Sequence, residues 1–364
     1  MRDIYLIRHG MPDFPGGARM CLGRTDLPLG LRGRLQAALL GAEFAGSGLG
    51  DRRCSRLTRS RETAELMGCE RPVVIPGLEE MDAGEWDGLS FDEIRRRWPE
   101  YYERRGRERA LPRRGLVEFG PASRRFSAAV ARAASLARGT PNHRRHLLGH
   151  PDPCCVRWRG AMLLRAGFQP PYGSATRLRC PEPGRFELVE YGRLPAPPMT
   201  PELAERLLAA AQLPEETAEH CRAAARAAMD IVCALAAAGL CLDETRIWRR
   251  GAAADDVSKG TPGHGTTLAG AGLMSQLGYP ELAPLIAQHN DLEEPSRTDE
   301  AAVVFLADKL RRGAAPVRVT ERFRESLSRC RDEEARRAHG RRLEAALESA
   351  RRINDICGKD VVQI

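Results

Sequence analysis

Lysine is nearly absent from this chain: it occurs only at Lys259, Lys309 and Lys359, although lysine and arginine together number 57. Arginine therefore carries the net charge of +8, and so lopsided a usage indicates a coding bias more than a surface shaped for polyanions. In the densest basic stretch, residues 95–114, acidic residues are interleaved, which favours ion-paired helix faces. No nucleic-acid partner is expected. A lid that attracts a phosphorylated substrate is the alternative for this stretch.

Long apolar runs and cysteines in Cys-x-x-Cys spacing are also missing, and Cys154-Cys155 is the only adjacent cysteine pair. No apolar run approaches the roughly 18 residues that indicate a transmembrane helix, so no membrane association is expected. The first predicted strand starts directly at the N-terminus, which leaves no room for a signal peptide. The eleven cysteines show no Cys-x-x-Cys spacing, which is typical of reduced thiols. Together these absences predict a cytoplasmic protein.

The chain opens with a short strand that ends in polar residues. Residues 4–7 (Ile-Tyr-Leu-Ile) predict a buried strand, and Arg8, His9 and Gly10 follow it at once. Ligands of open α/β sheets lie at the carboxyl ends of strands, and a glycine lets the backbone turn close to a bound group. Taken alone, this tripeptide also fits a surface loop, so the segments that follow decide its interpretation.

Helices and strands alternate in the first half of the chain. Periodic leucines after Gly30 predict one helix, and residues 58–67 predict a second, with Thr58 as its N-cap. Further predicted elements are a strand at 73–75, a helix at 121–137 and a hairpin between 177 and 190. This alternation predicts a sheet covered by helices on both faces.

Four segments accompany the strand end in a definite order. They are Gly-Arg-Thr-Asp-Leu-Pro-Leu at 23–29, Ser-Arg-Leu-Thr-Arg-Ser-Arg-Glu-Thr-Ala at 55–64, Leu-Glu-Glu-Met-Asp-Ala-Gly-Glu-Trp-Asp-Gly at 78–88 and Leu-Leu-Gly-His at 147–150. As an ordered set they resemble the histidine phosphatase superfamily, and the first looks most like the α-ribazole-phosphatase branch. The resemblance covers residues 2–195. It implies a phosphoglycerate mutase-like fold, which is an α/β three-layer sandwich.

The resemblance assigns a role to six residues. Catalytic roles fall on His9, Glu80 and His150, and phosphate or substrate binding falls on Arg8, Arg59 and Arg24. An imidazole with a pKa of about 6.5 offers a lone pair that can attack phosphorus and form a phosphohistidine. Charged guanidinium groups fork onto phosphate oxygens, and a carboxyl group protonates the leaving oxygen. This arrangement requires no metal, so no cofactor is expected for this domain.

One departure from the family pattern follows the second histidine. The family usually has a glycine there, whose amide helps bind phosphate, whereas His150 precedes Pro151, which has no N–H. Either His150 occupies a slightly altered pocket or the activity is reduced. The sequence predicts hydrolysis of a small phosphorylated metabolite through a phosphohistidine. The alternatives are a regulatory or ligand-sensing protein with one or both sites degenerate, and a phosphoglycerate mutase, which the short insert region argues against.

A proline-rich segment, residues 196–201, separates two regions of different character. Proline at this density makes a semi-rigid linker, and Thr200 supplies an N-cap for the helix that follows. The predicted domains are residues 1–195 and residues 202–364, the second all-α with a C-terminal helical extension. Its helices are predicted at 223–240, 268–277, 281–289, 300–312 and 322–356.

Histidines and aspartates in the second region follow an order that resembles the HD domain, a helical metal-dependent phosphohydrolase fold. The matching positions are His220, Asp255, Asp256, His264, His289 and Asp308. The resemblance implies a divalent metal, Mg, Mn or Fe, held by these side chains. The His-Asp dyad of that family reads Asp255-Asp256 here. Either an oxygen ligand shifts the preference towards harder cations or the site is empty. The sequence does not indicate an oligomeric state.

Overall fold

The computed structural model describes residues 2–47, 52–104, 119–135, 145–148, 170–182, 185–243 and 267–364. The chain divides into two compact units, residues 1–197 and residues 198–364. Each unit has a hydrophobic core of its own. Among the described residues, no helix is long and apolar enough to cross a membrane.

A six-stranded sheet forms the centre of the first unit. Its strands are β1 (Arg2–Ile7), β2 (Arg52–Cys54), β3 (Val73–Val74), β4 (Arg145–Leu148), β5 (Ala175–Glu182) and β6 (Arg185–Arg193). Their order across the sheet is β3-β2-β4-β1-β5-β6. The first four strands in that order run parallel, whereas β5 and β6 are antiparallel to their neighbours. Because parallel strands end at one edge of a sheet, the segments after β1 and β2 lie at the same edge as the start of β5.

Helices cover both faces of this sheet. Within the described residues they are α1 (Leu31–Glu43), α2 (Thr58–Leu66), α3 (Phe91–Arg97), α4 (Pro99–Arg104) and α5 (Phe119–Ser135). Tyr5 and Ile7 pack in one core with residues of α1 and α2, and Ile4 and Leu6 pack in another with residues of α5. Successive side chains of a strand point to opposite faces, so β1 contributes to both cores. The described part of this unit therefore has the three layers that were expected.

The N-terminal cap of α2 differs from the prediction. Thr58 is the first helical residue, and Leu57 occupies the N-cap position without a side-chain hydrogen bond. The carboxylate of Asp26 caps the helix instead, since it accepts hydrogen bonds from the backbone N–H and the hydroxyl of Thr58, both at 2.8 Å. A carboxylate there satisfies helix N–H groups and interacts favourably with the helix dipole. The cap was missed because Asp26 is 32 residues away in the chain.

Helices form most of the described second unit. They are α6 (Pro201–Ala211), α7 (Glu215–Ala237), α8 (Thr267–Gln276), α9 (Ala283–Ala287), α10 (Glu300–Lys309), α11 (Val319–Leu327) and α12 (Glu333–Cys357). The predicted cap at Thr200 is confirmed, because its hydroxyl accepts the Leu203 N–H at 3.2 Å. All residues from 301 to 307 in α10 are buried, so this helix lies inside the core.

The helix predicted over 300–312 ends at Lys309. Beyond it, Arg311–Arg312 pairs with Ala315–Pro316 as a two-stranded ladder, β7 and β8. Gly313 adopts a φ of 56°, in the left-handed region that favours glycine, and this lets the chain turn between the two strands. The second unit is therefore helix-rich but not all-α.

Other predicted helix limits also change. The helix expected over 322–356 is two helices, because the Asp332 side chain accepts the Ala335 N–H at 2.7 Å and begins α12. The charged pattern is continuous and predicted one helix, but the N-cap carboxylate of Asp332 starts a new helix within it. The helix expected from residue 223 begins at Glu215, and the one expected over 281–289 is the short α9.

Candidate active site

The end of β1 places Arg8 and His9 inside the first unit. Arg8 is 4% exposed and His9 is 7% exposed, although both side chains are polar. The backbone of Gly10 lies so close to Gly33 that a Cβ on Gly10 would come within 2.2 Å of the Gly33 carbonyl oxygen. Only glycine allows this approach directly after His9. The tripeptide therefore lies at a buried strand end and not in a surface loop.

The hydrogen bonds of His9 select one tautomer of its imidazole. Nδ1 lies 2.7 Å from the backbone oxygen of Gly10, which can only accept, so Nδ1 carries the proton. Nε2 accepts a hydrogen bond from Nε of Arg59 at 3.3 Å, and a guanidinium can only donate. Nε2 therefore carries the lone pair. His9 presents a nucleophilic nitrogen beside a positive charge.

The surroundings keep this imidazole neutral. Burial lowers the pKa of His9 well below its ordinary 6.5, and the positive charge of Arg59 lowers it further. The hydrogen bond to Gly10 raises this pKa by a smaller amount, and the charge of Arg8 lowers it again. A histidine with such a pKa is unprotonated at neutral pH, so its Nε2 can act as a nucleophile once the N–H of Arg59 turns away from it.

Arg59, in the first turn of α2, is 1% exposed and uses all three of its nitrogens. Besides the bond from Nε to His9, Nη1 donates to the backbone oxygen of Thr25 at 2.8 Å, and Nη2 donates to that of Gly23 at 3.0 Å. Burial lowers the pKa of Arg59, while the nearby Glu80 carboxylate raises it. An arginine stays charged under such shifts. Arg59 therefore ties α2, the loop around Thr25 and the nucleophile together.

Arg8, the residue directly after β1, also lies beside His9. Its Nη1 donates to the backbone oxygen of Pro170, and its Cζ lies 3.8 Å from the ring centre of Tyr172. Two buried guanidinium groups from different elements therefore accompany His9. These three residues, Arg8, His9 and Arg59, are called the His9 cluster below.

Asp87 shapes the loop that carries Arg24. Its carboxylate accepts the backbone N–H groups of Gly23 at 2.8 Å, Arg24 at 2.8 Å and Thr25 at 2.9 Å. The Arg24 side chain is 68% exposed and pairs with Asp82 at 3.0 Å. The structure therefore places this predicted substrate-binding residue at the surface, on a loop that Asp87 and Arg59 hold from two sides.

Two adjacent glutamates have different surroundings. Glu79 pairs with Arg125 of α5 at 3.2 Å, which is a structural contact. Glu80 is half-buried, and its charge acts on the Arg59 guanidinium beside His9. Of these two glutamates, only Glu80 acts electrostatically on Arg59 of the His9 cluster, and its catalytic role stays a prediction.

Two further side chains support the His9 cluster, although the sequence had indicated no role for them. Thr63 Oγ1 accepts the Gly10 N–H at 3.1 Å and donates to the backbone oxygen of Arg59 at 2.7 Å. Gln36 Oε1 accepts the Met11 N–H at 3.0 Å. Thr63 follows Arg59 by four residues on α2, and this spacing on one helix face was the available signal.

Several predicted site residues lie outside the described residues. In the first unit these are His150, the expected second histidine, and Pro151, which follows it. In the second unit they are Asp255, Asp256 and His264. Their roles stay predictions.

The described part of the second unit brings three predicted ligands together with a lysine. Asp308 Oδ1 lies 3.0 Å from Nε2 of His220 and 3.7 Å from Nε2 of His289, and Asp308 Oδ2 accepts from Lys309 Nζ at 2.8 Å. Burial alone would raise the pKa of Asp308. The charge of Lys309, together with His220 and His289, outweighs burial and holds that pKa well below its ordinary 3.8. The carboxylate of this Asp308 cluster (His220, His289, Asp308 and Lys309) is therefore ionised.

The Asp308 cluster does not by itself fit a metal ion. Over the part of the chain that the structure describes, no group of three or more histidine, cysteine, aspartate or glutamate side chains could hold one. The ammonium of Lys309 already lies against one carboxylate oxygen and supplies positive charge there. The described ligands are therefore neighbours without a metal-binding geometry.

Residues 4–156 match the family model of the histidine phosphatase superfamily (branch 1). A histidine phosphatase superfamily domain therefore lies at the N-terminus of this chain. The chain is similar to the uncharacterized phosphatase PhoE of Bacillus subtilis, with 30% identity over 103 residues, which is 28% of this chain and 53% of that protein. It is also similar to the probable phosphoglycerate mutase GpmB of Photorhabdus laumondii, with 32% identity over 98 residues, 26% of this chain and 45% of that protein. The chain thus spans about half the length of the curated relatives it matches.

Several solved structures are similar to part of the chain. YhfR of Bacillus stearothermophilus shares 26% identity, with 53% of this chain and 97% of that one covered and a TM-score of 0.44. A mycobacterial glucosyl-3-phosphoglycerate phosphatase in complex with inorganic phosphate shares 20% identity, with 53% and 98% covered and a TM-score of 0.45. An α-ribazole phosphatase from Shigella flexneri shares 21%, with 52% and 96% covered and a TM-score of 0.43.

Proposed function

We propose that the first unit hydrolyses a small phosphomonoester through a phosphohistidine formed on His9. One observation carries the proposal: Nδ1 of His9 is held by Gly10, and Nε2 keeps its lone pair 3.3 Å from the guanidinium of Arg59. A neutral nucleophile beside a permanent positive charge suits attack on a phosphate group. The superfamily match and the similarity to a phosphatase agree with this chemistry.

In the first half-reaction, Nε2 of His9 attacks phosphorus, a P–N bond forms and the P–O bond to the leaving group breaks. Arg8 and Arg59 stabilise the charge on the phosphoryl oxygens. Glu80 takes up a proton when the negatively charged phosphate group binds beside it, and it donates this proton to the leaving alkoxide. The hydrogen bond from Nδ1 to Gly10 stabilises the positive charge that the ring gains.

In the second half-reaction, water attacks phosphorus and the P–N bond breaks. The Glu80 carboxylate takes the proton from water, inorganic phosphate leaves, and His9 returns to its neutral state. We propose a small phosphorylated metabolite as the substrate, with the exposed Arg24 contacting the part of it beyond the phosphate. None of these steps uses a metal ion.

The test is turnover of a phosphomonoester panel by full-length protein, with and without a chelator. His9→Ala should lower kcat on the order of 10⁴-fold or more, because it removes the nucleophile. Acid-quenched wild-type protein should carry an acid-labile phosphohistidine that His9→Ala lacks. His339→Ala is the matched control, because this histidine contacts Ser326 in the second unit.

Each alternative gives its own result. Near-normal turnover by His9→Ala would contradict the covalent mechanism. Binding of inorganic phosphate without turnover would favour the sensing protein. Interconversion of 2- and 3-phosphoglycerate faster than hydrolysis would favour the mutase, which the similarity to GpmB makes a specific second candidate.

For residues 202–364, which belong to the second unit, we propose an HD-type domain that holds a transition metal weakly or not at all. The ammonium of Lys309 at 2.8 Å from Asp308, and Asp255 where a histidine ligand is expected, support this view. Elemental analysis of protein purified without chelator should find clearly less than one transition metal per chain. Asp255→His should raise that occupancy. A full complement of iron or zinc in the unmodified protein would contradict the proposal.

A further inference from the structure

The segment just before β5 is held tightly against the His9 cluster. The Arg8 N–H donates to the backbone oxygen of Ser174 at 2.9 Å, and the Gly173 N–H donates to that of His9 at 3.1 Å. Gly173 has a φ of 68°, and a Cβ there would lie 2.6 Å from Cβ of Gln36. Only glycine fits this turn, so the residue before it has a well-defined place beside the nucleophile.

That residue is Tyr172, a half-buried aromatic side chain. Its ring centre lies 3.8 Å from Cζ of Arg8, within the range of a cation–π contact. The same ring lies 5.5 Å from the ring of His9, tilted by 42°. A single side chain therefore contacts the nucleophile and one of its two phosphate-binding arginines.

We propose that Tyr172 is a positioning residue for phosphoryl transfer, which holds the guanidinium of Arg8 and the imidazole of His9 in their working orientations. This inference rests on the proposed function of the same site. Stacking uses the face of the guanidinium, whereas phosphate oxygens are bound by N–H groups in its plane. The ring of Tyr172 can therefore hold Arg8 without competing with the phosphate. It also covers part of His9 and limits the access of water to it.

The ring, and not the hydroxyl, is the active part in this account, so two substitutions separate them. Tyr172→Phe keeps the ring and should retain kcat/KM within about threefold, since cation–π attraction persists with phenylalanine. Tyr172→Leu keeps apolar volume but loses the ring face. It should lower kcat/KM about tenfold and raise the Kd for inorganic phosphate by a similar factor.

A second readout distinguishes positioning from a general loss of structure. Titration of ¹⁵N-labelled histidine by NMR should show the pKa of His9 moving up in Tyr172→Leu, because water reaches the ring more easily. The matched control is Tyr102→Leu, since the ring of Tyr102 lies 4.7 Å from Cζ of Arg95 in a different cluster. That control should leave the His9 titration and the phosphate Kd unchanged.

The outcomes separate this inference from the proposed function. If wild-type protein binds phosphate but forms no phosphohistidine, the mechanism is wrong, and the phosphate Kd of the two Tyr172 variants still decides the role of Tyr172. If Tyr172→Leu keeps wild-type values for kcat/KM, phosphate Kd and the His9 titration, Tyr172 has no positioning role. If wild-type protein binds no inorganic phosphate at all, both proposals are overturned.

Discussion

The His9 cluster of the first unit and the Asp308 cluster of the second each bury an ionisable side chain next to positive charge. The buried side chain is neutral in the first cluster and ionised in the second. Burial and the charges of Arg59 and Arg8 lower the pKa of His9, so the histidine is neutral and faces two cations. In the second unit burial opposes ionisation of Asp308, but Lys309 and the two histidines outweigh it. One cluster therefore offers cations around a neutral nucleophile, and the other contains its own counter-ion.

This difference supports the two proposals that a phosphate group binds at the first cluster and that the second cluster holds a transition metal weakly or not at all. An anion that enters beside His9 meets guanidinium groups that hydrogen-bond neutral partners, namely carbonyl oxygens and the imidazole. A cation that approaches Asp308 competes with the ammonium of Lys309. The same physical effect, a buried ionisable group near positive charge, therefore gives a neutral histidine in one cluster and an ionised carboxylate beside an ammonium in the other.

Among the substitutions that test this contrast between the two clusters, removal of Arg59 should have the largest effect. Arg59→Ala should lower kcat/KM about 10²- to 10³-fold, because one charge-stabilising group and the partner of Nε2 are lost together. Arg59→Lys should recover part of the loss, since it restores the charge without the fork. Steady-state kinetics checks both. The control is Arg177→Ala, whose guanidinium pairs with Asp3 on the same sheet and should leave kcat/KM unchanged.

In the second unit, the corresponding change should affect stability and not turnover. Asp308→Asn should destabilise the core around α10 by about 1–3 kcal/mol at neutral pH, because Lys309 loses its counter-ion. Hydrogen exchange of peptides from α10 measures this. Glu294→Gln is the control, since its pair with Arg297 is exposed on both sides and should contribute little. Equal protection in Asp308→Asn and wild-type protein would show that the Asp308 cluster is not stabilising.

Acid titration separates the two clusters, because His9 and Asp308 affect the free energy of unfolding in different pH ranges. Both pKa values are lower in the folded protein, so the unfolded chain binds more protons and stability falls as the pH drops. For His9 this loss begins near its unfolded pKa of about 6.5, whereas for Asp308 it begins near about 3.9. His9→Gln should therefore flatten the first region of the stability profile, and Asp308→Asn the second. A single slope that neither substitution changes would contradict this assignment.

A smaller effect is expected where Asp87 holds the loop around Arg24. Asp87→Asn places an amide NH₂ group near backbone N–H groups that now donate to a carboxylate, so the loop should loosen. We expect a loss of about tenfold in kcat/KM, mainly through KM, as for one charge-assisted hydrogen bond. Asp92→Asn, an exposed acid on α3, is the control. A change in kcat alone would argue against a role in substrate binding.

The smallest expected effect concerns Thr63, which joins Gly10 to α2. Thr63→Val removes both hydrogen bonds of Oγ1 at similar volume and should lower kcat/KM about three- to tenfold. Thr63→Ser keeps the hydroxyl and should stay close to wild type. If Val and Ser behave alike in steady-state kinetics, the hydroxyl does not support the nucleophile.

Local patterns predicted those features of the site that depend on neighbouring residues. The apolar run before Arg8 predicted β1, and the segment around Arg59 predicted α2. Predictions failed where a partner lies far along the chain, as for the cap that Asp26 gives to α2. They also failed where a local cap interrupts a charged pattern, as Asp332 does before α12.

The sequence by itself determined the alternation in β1 that serves two cores, the glycine that allows a turn after His9, and the order of the motif segments. Only the tertiary structure decided the tautomer and charge of His9. It also decided two contacts between distant residues: the hydrogen bonds of Asp87 to the loop that starts 64 residues before it, and the contact of His220 with Asp308 across 88 residues. The physical reason is that alternation and backbone freedom are properties of short segments. Proton position and pKa depend on burial and on charges that only the folded chain brings together.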